Sequence, residues 1–172
     1  IRLLKESNTR VALNSNLTLA DDDFIGFLKE QKVGVLTSCP SGVASSFTRL
    51  VGVDNYAVFE SKIKKLVAAD VHFTVNMVVT KENLHEIRAT AEKMRILGCK
   101  SFAATPMGLN VEYPRLDLLL RVEDVHAVIA DLLWIEENLN TKVDILEALP
   151  KCVFPEEVLK GKHHFLNRKC QA

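Results

Sequence analysis

The chain reads as an α/β protein with a parallel sheet, and three observations predict it. Short apolar runs rich in β-branched residues alternate with stretches of helical period. The apolar runs are continuous rather than alternating, as in strands buried on both faces. Clusters of Asn, Ser, Thr, Pro and Gly close most of the runs. Right-handed crossovers then leave two arrangements, an open doubly wound sheet or part of a (β/α) barrel, and both place chemistry at the C-terminal ends of the strands.

The first element is a strand in the run RVALNSN. Thr18 and the three acids Asp21 to Asp23 announce a helix to about Gln31, with Phe24, Phe27 and Leu28 as its buried stripe. VGVLTS is a second strand, closed by the turn-forming CPSG. Val43 to Asp54 has no clear period and reads as a loop or a single turn. From about Asn55 to Ala69, Val58, Phe59, Ile63, Leu66 and Val67 make a helical stripe. VHFTVNMVV is a third strand, followed by a helix from Leu84 to Leu97 that Gly98 ends as its C′ residue. KSFAATPMG is a fourth strand, Val122 through Leu139 a helix with Val122, Val125, Ile129, Leu132 and Leu133 on one face, and VDIL a last short strand. Pro150, Pro155 and Gly161 break up the remaining stretch, and the tail reads as irregular.

The 172 residues amount to one domain or slightly more, and 48% apolar with 26% charged residues is a globular composition. Lys and Arg number 22, as do Asp and Glu, so no global field favours nucleic acid or an anionic membrane. No apolar run approaches the ~20 residues of a membrane span. A cytoplasmic location is expected. Cys39, Cys99, Cys152 and Cys170 are too scattered for a disulfide-stapled secreted domain, so reduced thiols or metal ligands are expected. The chain begins at Ile1 without an initiator Met, and its five strands are too few for a closed eight-stranded barrel, so material is expected to be missing on the N-terminal side. An open first strand of this kind invites dimerisation through the sheet edge.

The strand ends carry neutral hydroxyls and amides: Asn14, Ser15 and Asn16; Thr37, Ser38 and Cys39; Asn76, Thr80 and Asn83; Thr105 with Met107. General acid–base chemistry needs a His or carboxylate in such a mouth, and none is evident. A crown of neutral donors suits a polar cofactor, with helix capping and turn formation as the plain alternative for each residue. Cys39 is expected at the mouth. An aldolase or phosphate-binding isomerase would need a strand-end Lys or a Gly-rich loop, and Lys81 is the one candidate base.

The order LNSNLTL, VLTSCPSG, a Phe-Thr-Arg-Leu segment, KKLVAADVHFTVNMVVTKEN and RILGCKSFAATPMG resembles the second half of the catalytic domain of radical S-adenosylmethionine (SAM) enzymes. ALPKCVFP and NRKCQA are similar to the entry of the cysteine-rich SPASM extension of that family. The resemblance implies a partial (β/α) barrel of about five units, truncated at its N-terminal side, over residues 1–148, and the start of the extension over 149–172. It implies an oxidoreductase that generates a 5′-deoxyadenosyl radical for hydrogen abstraction, acting on a peptide or protein in modification or maturation, with SAM and [4Fe–4S] clusters as cofactors of the full-length protein. By position, Asn16 matches the Asn of the family's strand-ending Thr-Asn-Gly, with Leu17 in place of the Gly. Ser38 matches the Ser that bonds the SAM ribose, and Arg49 the Arg facing the methionyl group. Asn76 matches the strand Asn, with Asn83 as the frequent second Asn, and Pro106 and Gly108 the Pro-x-Gly near the adenine. The family's Asp-Gly after the Ser is replaced by Pro40 and Ser41.

The CxxxCxxC loop that holds the catalytic cluster, and the Gly-Gly-Glu segment that clasps the SAM amino group, do not occur in this sequence. The resemblance places both upstream of Ile1, so the fragment by itself is expected to be inactive, with nothing bound. Cys170 and Cys152 are the candidate first ligands of an auxiliary cluster, and His163 and His164 lie between them as an alternative zinc set. A rival reading from a different class is a non-catalytic α/β module that binds a peptide or partner at the same mouth.

Overall fold

The computed structural model describes residues 9–109, 112, 114–161 and 166. The strands are β1 (Ala12–Asn14), β2 (Gly34–Ser38), β3 (Phe73–Val79), β4 (Ser101–Pro106) and β5 (Lys142–Asp144). They form one sheet in the order β1-β2-β3-β4-β5, and every pair is parallel. This order chooses between the two arrangements. Each crossover steps the same way, and right-handed crossovers that all step one way put every helix on one face. A doubly wound sheet reverses direction and covers both faces. The chain is therefore an open arc of a (β/α) barrel.

Register separates the two faces. Thr37, Val75, Phe102 and Val143 are neighbours in one row, all buried on the helix side. Ser38, Asn76, Ala103 and Asp144 form the next row, one residue on and so on the opposite face. That face carries the site.

Helix α1 (Asp22–Glu30) starts where Asp21 accepts a hydrogen bond from the Phe24 N–H at 2.8 Å, with Asp22 and Asp23 in its first turn. Its buried stripe is Ile25 and Leu28; Phe24 and Phe27 are only half-buried, so the expected face is turned by about one position. Helix α2 (Ala44–Val51) stands where a loop or single turn was expected. Its Ser and Thr content gives weak helix propensity, and one residue, Phe47, is buried. Tertiary packing makes the helix: the Phe47 ring lies 5.2 Å from Tyr56 and 5.3 Å from Phe59. Gly52, at φ 78°, ends it in the left-handed conformation.

Helix α3 (Tyr56–Ala68) buries Tyr56, Phe59, Ile63 and Leu66, whereas Val58 of the expected stripe is exposed. The predicted Leu84–Leu97 helix is a 3₁₀ turn, Leu84–Glu86, followed by α4 (Ile87–Ile96). Gly98 closes it at φ 95°, as expected, with a Cβ there meeting Val67 at 2.9 Å. Helix α5 (Val122–Leu139) has the expected bounds, but Val128 and Ile135 join its buried face and Val122 is exposed. Between the breaking residues Pro150, Pro155 and Gly161, a 3₁₀ turn (Lys151–Val153) and α6 (Glu156–Lys160) bury Phe154 and Val158 in the same core as the barrel helices, and the tail expected to be irregular lies mostly outside the described residues. Among the described residues no helix is long and apolar enough to cross a membrane.

Candidate functional site

Ser38 and Asn76 end up side by side because β2 and β3 pair in register at these two residues. The Cys39 N–H donates to the Asn76 carbonyl at 2.9 Å, which ties the strand ends together. Thr105 on β4 donates its hydroxyl to Asn76 Oδ1 at 2.8 Å, and accepts in turn from the Leu146 N–H at 3.1 Å. This chain of bonds orients the Asn76 carboxamide: its oxygen is held inside, and Nδ2 has no protein acceptor among the described residues. Ser38 is exposed on the same face. A hydroxyl and an amide N–H₂ thus stand open next to each other at the mouth. That donor set fits the hydroxyls, carboxylate and ring nitrogens of a nucleoside-type cofactor.

The other expected site residues surround this pair at different levels of engagement. Asn16 is exposed just past β1, and its Oδ1 accepts from the Thr18 N–H at 3.2 Å, a local turn bond. Leu17, which stands where the resembled pattern has Gly, is held at φ 62° while almost completely buried. Left-handed backbone is what a Gly supplies without cost and a Leu resists, so the local conformation persists although the residue has changed. Arg49, on the last turn of α2, pairs through Nη1 with Glu82 Oε2 at 2.7 Å, in the turn after β3. Both side chains are about half exposed, so the pair bridges two loops of the mouth and holds little energy. Pro106 closes β4, but its ring is directed with its register partner Val79 to the helix side, away from the mouth where it was expected, because strand alternation gives the mouth side to Thr105. Gly108 is exposed, with nothing within 4 Å of a Cβ placed on it.

Two expectations about cysteines change. Cys39 does not stand at the mouth. It follows Ser38 by one residue, so strand alternation turns it to the helix side, where it is 0% exposed and donates to the Ser41 carbonyl at 3.1 Å. Burial pushes its thiol up to about 12, which makes it inert at neutral pH. Cys152 is exposed on the 3₁₀ turn, and among the described residues no three His, Cys, Asp or Glu side chains gather to hold a metal. Cys170, His163 and His164 lie outside the described residues. Cys99 is buried as expected.

Two residues that shape the mouth, Glu86 and Asn55, escaped sequence reasoning, and Asn83, which was expected at a strand end, has a different role there. Glu86 is buried, and its carboxylate accepts from the hydroxyls of Ser41 and Ser46, the latter at 2.6 Å, pinning the β2–α2 loop. Asn83 does not reach into the mouth; its Nδ2 donates to the carbonyls of Pro40 (2.9 Å) and Val78 (3.0 Å), and its Oδ1 accepts from the Thr80 N–H (2.8 Å). Asn55 lines a small cavity beside Ser38. For Glu86 and Asn55 the one sequence signal was a polar residue just before or after an apolar element, and that signal is shared with ordinary caps.

No protein-family model and no curated protein matches the chain. Solved structures do. A structure of anSMEcpe with bound AdoMet, which is SAM, matches at 21% identity and a TM-score of 0.66, over 83% of this chain and 42% of that one. The fold is shared. A structure of anSMEcpe with bound AdoMet and the Cp18Cys peptide matches at 20% identity and 0.66. Streptococcus suis SuiB matches at 14% identity and a TM-score of 0.69, over 81% of this chain and 33% of that chain. The chain thus spans less than half the length of each of these proteins. The likeness is to part of a larger molecule, and it agrees with the partial barrel read from the sequence.

Proposed function

We propose that this chain is the C-terminal part of a radical SAM catalytic domain whose full-length protein, an oxidoreductase, modifies a peptide or protein. The observation that carries the reading is the open pair of Ser38 and Asn76, register partners at the ends of β2 and β3, with the Asn76 carboxamide aimed by Thr105. The fold likeness to a protein solved with AdoMet and a peptide supports the same ligand classes. Bound SAM, with a reduced iron–sulfur cluster, supplies the 5′-deoxyadenosyl radical that abstracts hydrogen. The residues here would bind and orient: Ser38 Oγ and Asn76 Nδ2 would hold the nucleoside end of SAM, with Asn16 and Gly108 at its flank and Arg49 toward the methionyl end from the loop side.

The described residues do not fit a cluster of their own, since no group of three candidate ligands forms among them. On this reading the catalytic cysteines would be supplied by another segment of the full-length protein, and Cys152 with Cys170 would open the SPASM-type extension over 149–172. The test is SAM binding to the full-length protein, reconstituted anaerobically with iron and sulfide. Ser38→Ala and Asn76→Ala are each expected to weaken SAM binding roughly tenfold, the loss of one hydrogen bond to a buried ligand. SAM affinity unchanged in both variants would refute the assignment, as would a full-length sequence without CxxxCxxC.

A further inference from the structure

The N-terminal ends of β3, β4 and β5, opposite the strand ends that carry Ser38 and Asn76, border a cavity of about 330 Å³. Pockets that take a whole small molecule begin at about 300 Å³, so this one suits a single ring or a short chain with one head group. Val67 of α3, Val71 and Phe73 form an apolar wall. Gly98 belongs to the same wall, and its backbone at φ 95°, with a placed Cβ 2.9 Å from Val67, keeps a side chain out of that side.

The polar groups of the cavity differ in whether they already have partners. Asp70 is paired with Lys29 Nζ at 2.5 Å. Ser101 Oγ accepts from the Thr74 hydroxyl at 3.0 Å. Lys100 and Lys142 are exposed, and neither has an ion-pair partner among the described residues. Lys142 is the register partner of Ser101, and Lys100 precedes Ser101 by one residue, so the two lysines come from adjacent strand starts. The same two lysines also line a neighbouring cavity together with Glu136. Around the two cavities Lys29, Lys100 and Lys142 thus face Asp70 and Glu136, three cations against two carboxylates, an excess of one positive charge beside His72.

We infer that this cavity is a binding site for a small monocarboxylate with an apolar body, separate from the mouth. The carboxylate pairs with Lys100 and Lys142 at the solvent side, and the body packs on Val67, Val71 and Phe73. Exposed ion pairs alone hold a ligand weakly, and removal of the body from water supplies the rest. A phosphate dianion fits less well, because the excess is one charge and the wall opposite the lysines is apolar. Phe73 lies three residues before Asn76 on β3, which is about 10 Å along the strand, so a ligand here leaves the mouth open. The site follows from the fold and does not depend on the reading of the mouth.

The probes are benzoate and benzamide, which share a ring and a shape and differ in charge, titrated into the full-length protein while the Val67 and Val71 methyl signals are followed by NMR. Benzoate is expected to bind at least about fivefold more tightly than benzamide, from two part-exposed ion pairs, and the preference should shrink as salt is added. Lys100→Met and Lys142→Met should each reduce the preference and together abolish it, in proteins that far-UV circular dichroism shows to be folded. Lys160→Met, on α6 with its own partner Glu156, should leave it unchanged. Inorganic phosphate, which has charge without an apolar body, should compete more weakly than benzoate itself, and SAM should not compete. Equal binding of benzoate and benzamide, binding of neither, a preference that survives in the double variant or is lost in Lys160→Met, or displacement by SAM or by phosphate at matching concentration would overturn the site. The wild-type comparison and its salt dependence decide the matter even where the double variant does not fold.

Discussion

Asn83→Ala tests whether the mouth is held by side-chain hydrogen bonds rather than by packing. The wild-type carboxamide, 1% exposed, donates to the Pro40 and Val78 carbonyls at 2.9 and 3.0 Å and accepts from the Thr80 N–H at 2.8 Å. Truncation leaves two carbonyls and one N–H short of a partner in a buried corner. Each such group costs about 1 kcal/mol or more, so the loss is about 3 kcal/mol. For a domain of this size that corresponds to a fall in Tm of about 6–12 °C. Urea unfolding monitored by circular dichroism reads the change directly, with the denaturant slope as a check that the transition remains two-state. Because Pro40 follows the Ser38–Cys39 strand end, the same variant should also weaken SAM binding in the full-length protein. A loss below about 1 kcal/mol at an unchanged slope would show that water replaces the carboxamide, and the reasoning would fail.

Two other perturbations have clear signs. Gly42→Ala places a Cβ 2.7 Å from Thr90 Cα, a backbone atom that cannot step aside, and the Gly42 N–H also donates to Thr90 Oγ1 at 2.8 Å; the expected cost is about 1–3 kcal/mol in the same unfolding assay, and a neutral result would mean the β2–α2 loop can lift off α4. Cys39 should resist iodoacetamide at pH 8 while exposed Cys152 is alkylated, as peptide mass mapping would show. Burial raises the Cys39 thiol from its ordinary 9.0 to about 12, so the folded state holds the proton that the unfolded state releases. Its stability contribution is therefore complete below pH 9.0 and is lost as pH rises toward 12, at about 1.4 kcal/mol per pH unit. Tyr56, raised to about 12 first by burial and then by Cys39 and Glu60, adds to the same alkaline loss. A Cys39→Ala variant with the same alkaline slope as the parent would contradict this account.

How much of the fold and the mouth was legible in the sequence differs from element to element. The strands and α5 were readable because apolar runs and an 18-residue helical period are local signals that agree with the tertiary outcome. Helix α2 was not, since Phe47 forms it by packing on two rings of the next helix. The α1 stripe was off by a position, and Val58 of α3 and Val122 of α5 fell outside the buried faces, because burial follows the angle at which each helix lies on the sheet, which no local period encodes. At the site, Ser38 and Asn76 were legible as strand-end polar residues, but their partnership depends on register. The buried oxygen of Asn55, unpaired among the described residues, and the buried carboxylate of Glu86 look in sequence like a cap and a surface acid.

The sequence by itself determined an α/β chain with a parallel sheet, polar residues at the strand ends and a residue order similar to that of radical SAM enzymes. Only the tertiary structure decided that the sheet is an arc wound in one direction, because strand order is a long-range property. It also decided which polar residues face the open side. A shift of one residue along β2 separates the exposed Ser38 from Thr37 and Cys39, both sealed against the helices, and pairing with β3 is what fixes that alternation in space.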